Sequence, residues 1–178
     1  MNRALLMIAL LFLSITAYAE IEKLAMPCDT GICFHWWPKL PIVKGWHHDK
    51  DYSIHYSFNA QAPDGKNFGN AETVIYANAL FKPRIPDTKN LQMLIDDDQK
   101  KFKSELPDVI IKEVLPIVTG GGKSLRSFTY TPTKAGSWEQ VAYGEEGEFY
   151  IIFTISSRSK SGLANELVNY RKFINEYK

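Results

Sequence analysis

The chain has 178 residues, 21 Lys+Arg against 20 Asp+Glu, a formal net charge of +1 and 45% hydrophobic residues. That length and apolar fraction suit one globular domain with a core of its own. The balanced charge argues against a nucleic-acid partner, which needs a cationic excess on one face, and against electrostatic docking to anionic lipid.

Residues 1–19 read as a cleavable secretory signal. Arg3 precedes the apolar run Ala4–Leu13, and Ala17-Tyr18-Ala19 supplies a small-x-small cleavage motif before Glu20. The run is shorter than the ~20 apolar residues a spanning helix needs. A lipid anchor at the first cysteine, Cys28, is disfavoured because Met26-Pro27 precedes it. The expectation is a mature protein starting near Glu20, periplasmic or secreted in a bacterial cell, with no membrane attachment after cleavage.

Export places Cys28 and Cys33 in an oxidising compartment. With four residues between them and Gly31 to bend the chain, they are predicted to form a short disulfide, contributing on the order of 2 kcal/mol. The alternative, a redox pair, usually has two intervening residues at a helix start.

Residues 20–45 are predicted to be irregular, because Pro27, Pro38 and Pro41 interrupt any regular element. Phe34, Trp36 and Trp37 hold this segment against the rest. A single α+β domain is expected over residues 46–178. Trp46 opens it, and Tyr52, Ile54, Tyr56 and Phe58 alternate with polar residues, which predicts a strand. Residues 62–67 carry turn chemistry, and Thr73–Phe81 is apolar enough for a central strand. Thr88 is a candidate cap for a helix over Lys89–Glu105, whose apolar face is Leu91, Leu94, Ile95, Phe102 and Leu106.

Val109–Val118 is a strand made edge-like by Pro116. Gly120-Gly121-Gly122 turns it into Lys123–Thr131. Trp138–Tyr143 and Glu148–Ser156 form a hairpin through Gly144-Glu145-Glu146-Gly147. A helix over Gly162–Glu176 closes the chain. The order β-β-α-β-β-β-β-α implies an antiparallel β-sheet covered by helices.

No catalytic motif survives inspection. Thr119-Gly120-Gly121-Gly122-Lys123-Ser124 lacks the first glycine of a phosphate loop, where Ile117 stands, and a strand follows it where a helix is required. Asp96-Asp97-Asp98 point about 100° apart on a helix and pair with Lys100 and Lys101, so they read as a solvated face. Glu145, Glu146 and Glu148 read as exposed turn residues. No Gly-x-Ser-x-Gly elbow occurs.

All four histidines, His35, His47, His48 and His55, fall between residues 35 and 55, beside Asp49 and Asp51. Imidazoles ligate zinc and copper in exported proteins. Adjacent residues on a strand face opposite ways, however, and His47 and His55 on one unbroken strand would stand ~26 Å apart. A zinc or copper site using His47 and His48 therefore requires a bend near Asp49–Asp51. Trp36, Trp37 and Trp46 are either core residues of this region or a candidate binding surface.

Gly45-Trp46 opening an element, the stretch Asn59-Ala60-Gln61-Ala62-Pro63-Asp64-Gly65, and Ser137-Trp138-Glu139-Gln140-Val141-Ala142-Tyr143 before an apolar strand and a final helix carry a resemblance. Over Trp46–Lys178 the chain resembles the PsbP-like α/β sandwich. That fold is shared by the extrinsic subunit of photosystem II, a Ran-binding nuclear import factor and bacterial exported proteins, some of which carry a similar Trp-His-His-Asp stretch. The resemblance implies an accessory, non-enzymatic module engaging a protein partner or a small ligand. Some members of the fold bind metal, but their metal positions have no counterpart here, and no cofactor is expected. Zinc or copper binding through the His35–His55 cluster is the alternative.

Overall fold

The computed structural model describes residues 21–178, apart from residues 30 and 135. The signal segment, 1–19, and the expected cleavage junction at Glu20 lie outside the described residues.

Much of the described part of the 20–45 segment is regular, although 39–43 carries no helix or strand, as expected. Ile21–Cys28 (β1) and Gly31–Pro38 (β2) form an antiparallel hairpin, with Ile21 opposite Pro38 and Cys28 opposite Gly31. Pro27 and Pro38 are compatible with this because the pair forms a separate two-stranded sheet, so each strand needs only one neighbour. Cys28 and Cys33 are placed as a disulfide across its turn, with a Cα separation of 5.8 Å, and Gly31 supplies the positive φ of 123°.

The expected strand over Tyr52–Phe58 is instead a short strand, a helix and a second strand: Trp46–His48 (β3), Lys50–Tyr56 (α1) and Asn59–Pro63 (β4). The helix prevails because Asp49 caps it, accepting the Tyr52 N–H at 3.2 Å. Tyr52 and Tyr56, four residues apart, then stack at 5.8 Å on one face.

The remaining elements follow the expected order. They are Thr73–Phe81 (β5), a 3-10 turn at Lys82–Arg84, Leu91–Glu105 (α2), Ile110–Val118 (β6), Ser124–Thr131 (β7), Trp138–Glu146 (β8), Phe149–Ser157 (β9) and Lys160–Glu176 (α3). The α2 cap is Asn90, not Thr88. Asn90 accepts from the Met93 N–H at 2.9 Å, while the Thr88 carbonyl accepts from the Tyr150 hydroxyl. The β8–β9 turn is Gly147-Glu148, two residues later than expected, since Glu146 pairs with Phe149 and Gly147 has φ 53°. Gly144 lies inside β8, where an added Cβ would stand 2.3 Å from Leu125.

The protein is α+β. One seven-stranded antiparallel sheet has the order β3-β4-β5-β9-β8-β7-β6. One face packs on α3 and the hairpin, through Ile75, Phe153, Ile155, Tyr170, Phe173 and Ile174. The other packs on α2, through Leu94, Ile95, Phe128, Val141 and Tyr150. Strand alternation separates these two sets. Among the described residues, no helix is long and apolar enough to cross a membrane.

Candidate functional site

The histidine stretch serves the local fold. Trp46 is buried and meets the Phe173 ring edge-on at 5.8 Å. His47 is exposed, its Nδ1 3.7 Å from Asp64. His48 points the other way, into a hydrogen bond of 2.8 Å with the Ser53 hydroxyl. Burial draws its imidazole below the ordinary value, against the opposing pull of Glu22.

Asp49 holds two segments at once, accepting the Tyr52 N–H on Oδ1 and the Phe68 N–H on Oδ2. Ser53 donates to the Asp49 carbonyl and accepts the Ala60 N–H. His55 packs edge-on against Tyr56, and His35 sits on β2 opposite Leu24. The four histidines are thus distributed over three elements. Among the described residues, no three His, Cys, Asp or Glu side chains are grouped to hold a metal ion.

The tryptophans divide. Trp37 is 1% exposed and donates its indole N–H to Glu22 at 3.1 Å. Trp37 and Trp46 are core residues. Trp36 is half-buried, lies 5.2 Å from the Phe81 ring, and lines an open groove.

That groove, about 320 Å³, is bounded by Phe34, His35 and Trp36 of β2, by Tyr56 and Ser57 at the end of α1, and by Arg84 and Ile85. Its floor is β5 from Asn78 to Phe81. The Arg84 guanidinium lies 4.5 Å from the Trp36 ring and donates to the Phe34 carbonyl at 2.7 Å. Lys23 stands 4.2 Å from the Phe34 ring. No lining residue is acidic. An exposed guanidinium stacked beside aromatic rings suits a carboxylate on an apolar ligand.

Sequence reasoning missed Tyr56, Asn78 and Arg84. One signal was present in the sequence: Arg84 is fixed between Pro83 and Pro86.

A second polar group lies between α2 and the sheet. Asp96 and Asp97 are exposed, as expected for a solvated face, but Asp98 turns inward to accept from the Tyr143 hydroxyl, which meets Tyr130 at 2.7 Å. Burial raises the Asp98 carboxyl above its usual range, and the Tyr143 hydrogen bond opposes that. Glu139 is 8% exposed and accepts from Ser156 at 2.7 Å. Burial pushes its carboxyl up to about 7. Neither carboxyl lines the groove.

Glu145 and Glu148 are exposed, as expected, but Glu145 and Glu146 lie on β8 and not in the turn: Glu145 pairs with Lys82 at 2.6 Å, and the half-buried Glu146 meets Lys123 and the Tyr177 hydroxyl. The glycine turn after β6 receives the chain's end, with the Gly121 N–H on the Tyr177 carbonyl. An added Cβ at Gly120 would stand 2.6 Å from the Asn175 carbonyl oxygen, so this loop is built for packing.

No protein-family model and no curated protein matches this chain. Solved structures similar to it include the Ran-binding protein Mog1p of Saccharomyces cerevisiae, at 11% identity and a TM-score of 0.43, covering 85% of this chain and 85% of that one. A mutant of protein Mog1 gives 9% identity and a TM-score of 0.44, covering 88% and 86%.

Proposed function

We propose that the chain is an exported, non-enzymatic binding module of the PsbP-like sandwich type that engages a protein partner through the groove between the hairpin and β5. The observation that carries this reading is Arg84, stacked on Trp36 in an aromatic groove without a carboxylate. Rings and a guanidinium in one concave patch are the residue types that concentrate binding energy at interfaces. The carboxyls raised by burial, Asp98 and Glu139, are instead capped by Tyr143 and Ser156 away from the groove. That placement suits a structural role for them and favours binding over catalysis.

A photo-crosslinking residue at Tyr56, on the groove, is compared with one at Val168, exposed on α3. Irradiation in the source cell's envelope fraction is expected to give discrete protein adducts from position 56 and none from 168. The same adducts from both positions, or none from 56, would remove the groove as the working surface.

A further inference from the structure

The groove floor is a strand edge, and its polarity follows from the neighbouring ladder. The Ala60 N–H donates to Ser53 and its carbonyl accepts from the Asp49 N–H, so the Ala60 backbone faces away from β5. Asn59 and Gln61 therefore make the β4–β5 bonds, opposite Ala77 and Ile75. Alternation then points the N–H and carbonyl of Ala79 and Phe81 to the same side as those of Ala77. The far side agrees, since the Lys82 N–H bonds Glu148 across the β9 ladder.

Yet β4 begins only at Asn59. Before it, Ser57 adopts φ 63° and ψ 34°, and the chain leaves the sheet plane into α1. Among the described residues, no strand pairs with Asn78–Phe81 on that side, although β9 pairs with this stretch on the other. The hairpin runs close to β5 but, among the described residues, forms its own two-stranded sheet and does not hydrogen-bond to it. Trp36 packs on Phe81 and Phe149, which share one sheet face, and near β4 the Pro38 carbonyl accepts from the Asn59 side chain.

We propose that this vacant position takes an extended, acid-bearing peptide segment of a partner protein, added antiparallel to β5. The proposal rests on the groove being the working surface and specifies how that surface binds. Main-chain bonds would come from Ala79 and Phe81. Alternate side chains of the peptide would face Phe34 and Trp36 on one side and Tyr56 and Ile85 on the other. The acidic preference follows from charge: Arg84 lines the groove, Lys23 stands over the ring of the lining residue Phe34, and no lining residue is acidic.

The test pans a random heptapeptide library against the full chain and measures enriched peptides by fluorescence anisotropy. Each peptide is also N-methylated at every position in turn. Enriched peptides are expected to contain Asp or Glu and to lose tenfold or more in affinity against Arg84→Glu. N-methylation is expected to abolish binding at alternate positions only, because only alternate N–H groups face β5.

Uniform tolerance of N-methylation would overturn strand addition while leaving the groove as the binding surface. Equal binding to wild type, Arg84→Glu and Tyr56→Ala would overturn both readings. Failure to enrich any peptide, or self-association of the chain that Arg84→Glu abolishes, would overturn the peptide as occupant. The N-methyl pattern is read on wild-type protein, so the result does not depend on how a variant folds.

Discussion

Glu139 is a carboxyl held in an environment that opposes its charge. Its carboxyl is held at about 7 by burial, against an ordinary 4.5. A carboxyl that binds its proton more tightly folded than unfolded destabilises the fold as pH rises. Below 4.5 both states are protonated and there is no penalty. Between 4.5 and about 7 the unfolded chain ionises first, and the penalty grows to its full value. At about 1.4 kcal/mol per unit, that value is on the order of 3 kcal/mol. Asp98 shifts in the same direction. Glu139→Gln keeps an acceptor for the Ser156 hydroxyl and removes the titration. Denaturant unfolding is expected to show the variant near wild type at pH 4 and more stable by about 2–3 kcal/mol at pH 8. A stability difference that does not change with pH would mean that Glu139 stays ionised in the fold. The sequence carried no clear sign of this: Glu139 is followed by the polar Gln140, so Trp138–Tyr143 shows no clean alternation that would assign its face. Only its position under α2 makes its face an inner one.

At the scale of elements, long periodic segments were legible and short ones were not. Thr73–Phe81, the α2 face and the strands of the two C-terminal hairpins read correctly, though not the β8–β9 turn, because several turns or pleats repeat the same signal. Residues 50–58 misled because Tyr52, Ile54, Tyr56 and Phe58 satisfy period two by composition alone. The deciding group, Asp49, is a single side chain acting on the Tyr52 and Phe68 amides. The β1–β2 hairpin was hidden by its prolines, which bar a strand only where both edges must pair. This hairpin has little core of its own, so its disulfide should act locally. Closing a loop with a sequence separation of 5 is worth about 2 kcal/mol by chain entropy. In a Cys28→Ser/Cys33→Ser variant, amide hydrogen exchange is expected to speed about tenfold or more across 21–38 and to stay unchanged in β5 and β9. An equal acceleration in β5 and β9 would show that the hairpin and sheet open together. The groove itself was not legible, because it forms where one strand is shorter than its neighbour and no local pattern encodes that mismatch.

At the scale of the whole molecule, the sheet has two edges of unequal exposure. β3, three residues long, offers little template. β6, nine residues long, is the other edge. It displays Leu115 at 86% exposure with Ile110 and Val118 beside it. An exposed, apolar edge of that length pairs with other chains unless something interrupts it. Pro116 is the interruption: it has no N–H to offer, and the β6–β7 register breaks between Val114 and Ile117 around it. The sequence placed this strand at an edge from the proline alone, and the topology agrees. Pro116→Val restores the donor, permits a regular ladder and leaves Leu115 in place. The variant is expected to fold and to self-associate with rising concentration in sedimentation velocity, under conditions where wild type shows no such dependence. A variant whose sedimentation matches wild type at every concentration would assign the protection to another feature of β6, such as the charges of Lys112 and Glu113. The contrast with β5 gives the comparison its meaning. Both strands present free backbone at an edge, but β6 carries a proline against pairing, whereas Asn78–Phe81 is flanked by rings and a guanidinium that would receive a specific one.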